Sequence, residues 1–195
     1  GEFQEKRFDS IGPTIGKELR RKSLWAIALV IIMIILYIAW AFRNVSQPIS
    51  SWKYGIAAIV ALFHDIAIPT GVFAFLGKYY GVEVDTLFVT ALLTILGFSV
   101  HDTIVVFDRI RERLMKSKGE SFENMVESSI RSTIGRSINT SLTVIIVMTA
   151  LYFLGGTSTK FFSLAIMIGV FFGTYSSIFI ASALLVSWNK RLQKA

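Results

Sequence analysis

The chain of 195 residues is strongly apolar: 53% of its residues are hydrophobic, 17% are charged, and the formal net charge is +7. Apolar runs of roughly 20 residues are long enough to cross a hydrocarbon core about 30 Å thick, which excludes an ordinary soluble domain. The sequence contains no cysteine, which excludes disulfides and thiolate chemistry. We therefore predict an all-α fold, a polytopic membrane helix bundle with five transmembrane helices and an additional amphipathic cytoplasmic helix.

Five apolar runs define one predicted transmembrane domain, residues 23–188, between a polar segment (1–22) and a short tail (189–195). The predicted spans cover residues 23–42, 54–76, 86–107, 137–154 and 161–188. Residues 108–136 form a long polar connector, in which apolar side chains at spacings of three and four residues predict the amphipathic helix. Those side chains are Phe122, Met125, Val126, Ile130 and Ile134. Gly119 is expected to end the preceding helix and Ser121 to cap this one, which should lie along the membrane surface or against the ends of the spans.

The distribution of lysine and arginine predicts the orientation. Twelve of these residues lie in the connectors 43–53 and 108–136 and in the C-terminal tail, whereas the two short loops on the other side carry only Lys78 and Lys160. By the positive-inside rule, the C-terminus is cytoplasmic and the N-terminus lies outside. Six further basic residues in the N-terminal segment oppose this rule, and a translocated domain upstream would explain them.

No initiator methionine and no signal peptide precede the first apolar run, so we expect the chain to be part of a longer protein, or a processed or recombinant product. The basic excess is best explained by membrane topology and by attraction to membrane lipids. We therefore predict no nucleic-acid partner.

Two aspartates lie inside predicted spans: Asp102 near the cytoplasmic end of the third, and Asp65 nearer the centre of the second. A charged aspartate at a helix centre costs about 2.5–3.5 kcal/mol, and such residues usually face the bundle interior and mark ion or proton pathways. Burial disfavours the charged carboxylate and a nearby cation favours it, so a carboxyl between both influences can exchange a proton near neutral pH. We predict a proton pathway that includes Asp102 and Asp65. The alternative is that a permanently neutral aspartate makes a helix-packing hydrogen bond.

The start of the fourth span supplies a cation for Asp102. Arg136, Asn139, Thr140 and Thr143 recur at i, i+3, i+4 and i+7, so they form one polar stripe on a hydrophobic helix. We predict that this stripe faces Asp102 across a narrow hydrated path. The alternative is that Arg136 extends to the lipid headgroups at the membrane surface.

His101 and His64 each precede an aspartate, which raises the question of a metal site. Adjacent residues on a helix point about 100° apart, so a His-Asp dipeptide is a poor chelate. We predict neither a metal nor a cofactor. A proton shuttle is the functional interpretation of His101, with simple packing at a helix contact as the alternative, and the role of His64 stays open.

Gly169 and Gly173 form a small-xxx-small pattern, which predicts a close helix contact within the bundle or with a partner. The sequence contains no nucleophile elbow, phosphate loop or dinucleotide fingerprint. The sequence motifs therefore give no reason to predict an enzyme.

Four strings of residues resemble the SecF family of bacterial protein-export membrane proteins, and they occur in the family order. They are IGPTIGKELRRKSLW (11–25), FHDIAIPTG (63–71), GFSVHDTIVVFDRIRERL (97–114) and RSINTSLT (136–143). The resemblance implies a six-helix domain of the resistance-nodulation-division type that shares its interior with six helices of SecD. It also implies that the first helix and the periplasmic domain lie outside this chain, so that residues 1–22 are the end of the periplasmic segment.

The same resemblance implies that Asp102 is the proton-carrying carboxylate and Arg136 its basic partner, while His101 stands where many members have Asn. The implied function is that of a subunit of the Sec preprotein translocase accessory complex in the bacterial cytoplasmic (inner) membrane. It would use the proton gradient to drive late steps of protein export. The implied partners are SecD, the SecYEG translocon, YajC, preprotein substrates and membrane lipids. Two alternatives are a structural or assembly module for the translocon without proton conduction, and a small-molecule exporter of the same superfamily.

Overall fold

The computed structural model describes residues 13–43, 49–116 and 119–194. The described part is helical, without strands. Its elements are α1 (Pro13–Ala41), α2 (Ser51–Tyr80), α3 (Thr86–Lys116), α4 (Phe122–Leu154), α5 (Thr157–Ser176), a π-helical segment (Ser177–Ala181) and α6 (Ser182–Lys194). The last three form one continuous rod, so five rods are long and apolar enough to cross a membrane. The predicted all-α membrane bundle with five spans is confirmed.

Some of the predicted segments fall outside the described residues. This applies to residues 1–12 of the predicted periplasmic segment, residues 44–48 of the first connector and residues 117–118 of the long one. Residues 13–22, by contrast, form the first turns of α1.

A short turn between α2 and α3 holds these two helices side by side. Gly81 ends α2 in the left-handed conformation (φ 65°), and its backbone N–H donates to the carbonyl of Leu76. A residue without a Cβ adopts this conformation without strain. Asp85 then caps α3, because its Oδ1 accepts a hydrogen bond of 2.9 Å from the backbone N–H of Phe88.

The amphipathic segment after Gly119 is not a separate helix. Ser121 is its N-cap, as predicted, with the Asn124 N–H donating to the Ser121 hydroxyl over 3.2 Å. The helix then continues without a break through Gly135 into the predicted fourth span. The reason is that one buried face runs through both parts at spacings of one, three or four residues. Its members are Phe122, Met125, Val126, Ser129, Thr133, Ser137 and Ser141. The amphipathic segment is therefore the first part of α4, and its residues Phe122 and Val126 pack in the apolar cluster with Phe107 and Ile110 near the end of α3.

Two apolar clusters occupy the two ends of the bundle. One contains Phe42, Tyr54 and Phe107 and lies where α1 and α3 end and α2 begins. The other contains Phe73, Phe88 and Ile166 at the opposite ends of these rods. Between them, on α2, α3, α4, α5 and the start of the π-helical segment, lie buried polar side chains that we call the polar layer. These are Asp65, Ser99, Asp102, Thr103, Ser137, Ser141, Thr174, Ser176 and Ser177.

The helices α3 and α5 meet along a seam in which Gly169 and Gly173 of α5 face Ile95 and Ser99 of α3, with the residues four apart on each helix. Gly169 lies so close to the buried Ile95 that a side chain at this glycine would overlap it. One turn further, a Cβ at Gly173 would lie 3.2 Å from the Cβ of Ser99. Small residues at i and i+4 allow two membrane helices to approach closely, and the seam runs directly into the polar layer.

Candidate functional site

Asp65 lies at the junction of α2, α3 and α5 and is fully buried. Its Oδ2 accepts hydrogen bonds from the hydroxyl of Ser99 on α3 and from that of Ser176 on α5, the latter at 2.8 Å. Its Oδ1 lies 3.1 Å from Nδ1 of His64. Both carboxyl oxygens of Asp65 therefore have partners, and the group joins three helices.

Asp102 lies on α3, about one turn after Ser99, on the side that faces α4. It is 6% exposed. Its Oδ1 accepts a hydrogen bond of 2.7 Å from the hydroxyl of Ser137 on α4. Its Oδ2 is buried and has no hydrogen-bond partner among the residues that the structure describes. A buried carboxyl oxygen without a partner is costly, and it is also the atom on which a proton can reside. Both carboxyl oxygens of Asp65 thus have hydrogen-bond partners, whereas only one oxygen of Asp102 does among the described residues.

The end of α5 links both aspartates. Ser176 donates to Asp65, and the next residue, Ser177, shares a hydrogen bond of 3.0 Å with Thr103, the neighbour of Asp102. The π-helical segment begins at Ser177, where the backbone turn widens. π-helical turns inside α-helices are rare and occur frequently at functional sites.

The predicted polar stripe lies on an exposed side of α4 within this chain. Asn139, Thr140 and Thr143 are exposed, and Arg136, also exposed, lines a groove between α3 and α4 together with Val105 and Asp108. Among the described residues no ion pair or hydrogen bond joins Arg136 to Asp102. The residue that contacts Asp102 is Ser137, one position along the helix, because one position rotates a side chain by about 100°.

The two histidines differ in burial and in their contacts. His101 is exposed on α3, whereas His64 is partly buried, with its ring 6.3 Å from that of Phe172 and 6.4 Å from that of Tyr175. In the ranges that the structure describes, no group of three His, Cys, Asp or Glu residues could hold a metal ion. His64 thus contacts Asp65, whereas the side chain of His101 is exposed.

Sequence reasoning missed the hydroxyl groups of the polar layer. Ser99, Ser137, Ser176 and Ser177 are all at most 1% exposed. Serine scarcely changes the hydropathy of a membrane helix, because its hydroxyl can donate to its own backbone, as that of Ser177 does to the Gly173 carbonyl over 2.8 Å. The available signal was the spacing of four that Ser99 shares with Ile95 and Thr103, and Ser177 with Gly169 and Gly173.

The chain is similar to known protein-export proteins along nearly its whole length. A family model described as "Protein export membrane protein SecD/SecF, C-terminal" matches residues 1–191. Protein translocase subunit SecF of Thermobaculum terrenum is 57% identical over 191 residues, which cover 98% of this chain and 59% of the relative. SecF of Anaerolinea thermophila is 44% identical over 184 residues, with coverages of 94% and 59%. The chain thus spans about three fifths of the length of these relatives.

A solved structure has the same arrangement of helices. The crystal structure of SecDF from Thermus thermophilus, described as a translocon-associated membrane protein, superposes with a TM-score of 0.80 at 42% sequence identity. The superposition covers 92% of this chain and 23% of that one. The two chains are therefore similar in sequence as well as in fold.

Proposed function

The chain belongs to the SecD/SecF family of protein export membrane proteins, and from this we propose that it is the membrane portion of a proton-coupled protein translocase subunit. In this proposal Asp102 carries the proton, and Asp65 anchors the helices that surround it. Proton binding and release at Asp102 would shift the bundle between two arrangements and so drive a late step of protein export.

One observation carries the proposal: the buried Oδ2 of Asp102 has no hydrogen-bond partner among the described residues, while Oδ1 is held by Ser137. A carboxyl held on one side and free on the other can take up a proton without breaking an existing bond. Asp65 offers no such atom, since both of its oxygens are engaged. This contrast supports separate roles for the two aspartates.

The outer face of α4 supports a second helical bundle as partner. In the most apolar stretch of α4, only 11% of the residues are buried inside the chain. The corresponding share for the rod formed by α5 and α6 is 56%. That face carries Arg136 and the polar stripe below it, which would be costly against lipid. Covering by the membrane helices of SecD would bury the stripe and would bring Arg136 into the interior, beside the proposed proton pathway.

The proton gradient supplies enough energy for such a step. One elementary charge that crosses 100 mV releases about 2.3 kcal/mol. A two-state equilibrium changes by tenfold for each 1.4 kcal/mol or so, and therefore one proton shifts the bundle populations by more than tenfold.

The test compares two identical substitutions on α3 in the complete complex. Asp102→Asn removes the ionisable group but keeps the shape and the acceptor for Ser137. Asp108→Asn is the matched control, because its side chain is 57% exposed at the membrane surface, where it pairs with Arg111. We expect Asp102→Asn to abolish proton-dependent export with normal recovery of the complex, and Asp108→Asn to retain export. Normal export by Asp102→Asn would refute the assignment.

The second candidate function is an assembly module without proton conduction. The hydrogen bonds that Asp65 makes to α3 and α5, together with the glycine seam, favour it because they are suited to holding helices together. It predicts that Asp102→Asn lowers complex recovery and export in parallel. Intact recovery with lost export would exclude it. The small-molecule exporter has no specific observation in its favour.

The remaining partners and the location extend the proposal. We assign the chain to the bacterial inner membrane with its C-terminus in the cytoplasm, in association with SecD, the SecYEG translocon and YajC, and with preproteins as substrates. The family resemblance and the distribution of Lys and Arg support this assignment. Co-purification of the complete protein with each partner tests it.

A further inference from the structure

A groove of about 480 Å³ lies between the C-terminal ends of α1 and α3. Its walls include Tyr37, Trp40 and Arg43 from the end of the first span and Asp108 and Arg111 from just beyond the third. These positions place the groove at a membrane surface, on the side where both helices leave the predicted apolar spans. Its size is within the range of small-molecule binding sites.

The groove carries an excess of positive charge. Arg111 is paired with Asp108 through its terminal nitrogen at 2.6 Å, but its Nε is buried without a hydrogen-bond partner. Arg43 is exposed, and its guanidinium lies 5.2 Å from the ring centre of Trp40, without a carboxylate partner among the described residues. Two guanidinium groups and one carboxylate leave the groove with one net positive charge, which one further anion would neutralise. Planar guanidinium forks match the geometry of phosphate oxygens.

The surface next to the groove is apolar. Met33, Leu36, Tyr37 and Trp40 are between 50% and 62% exposed, and their spacing of three and four residues puts them along one side of α1. Tyr and Trp rings at the end of a membrane helix commonly lie at the level of the lipid headgroups. The basic groove is therefore continuous with a strip of hydrocarbon-facing side chains on the same helix.

We propose that this groove binds the headgroup of an anionic phospholipid, with Arg43 and Arg111 at the phosphate and the acyl chains along the exposed face of α1. Basic pockets between membrane helices at the membrane surface are suited to such headgroups. The apolar strip distinguishes a lipid from a free phosphate, because a soluble anion would make no use of it.

The test titrates dioleoyl phosphatidylglycerol and, separately, dioleoyl phosphatidylcholine into the complete protein in detergent, with bound lipid counted by native mass spectrometry. We expect a tight site for the anionic lipid, about fivefold weaker in Arg43→Gln and in Arg111→Gln. Arg131→Gln is the matched control, since Arg131 is 78% exposed on α4, where it pairs with Glu127. It should bind the anionic lipid as the unaltered protein does.

Three outcomes would overturn the proposal. They are equal binding of both lipids, an effect of Arg43→Gln no larger than that of Arg131→Gln, and displacement of the bound lipid by millimolar inorganic phosphate. If another segment of the complete protein covers the groove, the Arg43 effect is also absent, and the lipid is excluded. Should Arg111→Gln fail to fold, Arg43→Gln decides alone, because Arg43 is exposed and supports no buried contact.

Discussion

Substitution of Gly169 by alanine should separate α3 from α5. The added methyl group would overlap the side chain of Ile95, which is fully buried and held within the apolar cluster of Phe88, Leu92 and Ile166. A movement of Ile95 would disturb its packing in this cluster. The helices must therefore shift apart, and the contacts one turn further along the seam should weaken with them.

The size of the effect follows from two opposing contributions. Overpacking of one methyl group in a close-packed interior costs about 1–3 kcal/mol. Replacing glycine by alanine inside a helix stabilises it by about 0.8–1 kcal/mol. Gly135→Ala provides the reference, because a Cβ at Gly135 meets nothing within 4 Å. The two variants should therefore differ in free energy of unfolding by about the overpacking cost alone, 1–3 kcal/mol.

The assay is unfolding by SDS titration in mixed micelles, followed by tryptophan fluorescence, for Gly169→Ala, Gly135→Ala, Ile95→Ala and the double variant. Ile95→Ala removes the atoms that clash, so Gly169→Ala should cost nothing in that background, with a coupling of about 0.5–3 kcal/mol. Equal stability of Gly169→Ala and Gly135→Ala, or additive effects in the double variant, would refute the close contact between α3 and α5.

Two further predictions concern the site and the topology. Ser137→Ala removes the donor to Asp102 Oδ1 and should destabilise the bundle by about 1–3 kcal/mol in the same titration. Thr140→Ala, on the exposed face, is the control and should change stability by less than about 0.5 kcal/mol. A larger loss in Thr140→Ala than in Ser137→Ala would contradict the geometry of α4. Because the chain has no cysteine, single Lys160→Cys and Lys190→Cys variants report topology directly: a membrane-impermeant maleimide should label the first in intact cells and the second only after permeabilisation, and the opposite pattern would invert the proposed orientation.

The helix content and the family could be predicted because both depend on strong signals. Apolar runs of membrane length specify the spans. The motif at 97–114 indicates the family, and the match of the family model over residues 1–191 confirms it. The burial of Asp65 and Asp102 follows from the cost of a carboxyl facing lipid, and both are indeed buried.

The angular position of side chains around each helix could not be predicted as well. The polar stripe at Arg136 was the visible pattern on α4, but the face turned inward is the one marked by Ser137 and Ser141. Serine and alanine fit equally on a buried or a lipid-facing side, so hydropathy does not specify which face is inside. The continuity of α4 through Gly135 escaped prediction for a related reason. A change from polar to apolar composition marks the membrane surface and does not mark the end of a helix.

The π-helical segment gives the last rod a mechanical division. Along it, Ser176, Ser177 and Ile178 are buried in succession, whereas a regular helix of this kind buries one stripe. The wide turn leaves the Ser177 carbonyl to accept from the Ser182 hydroxyl, five residues on, at 3.2 Å. Sharp kinks in long helices occur mainly at π-helical turns, prolines and Gly/Ser pairs. A bend of the last rod would therefore be located next to Ser176, which holds Asp65, at the level of the polar layer.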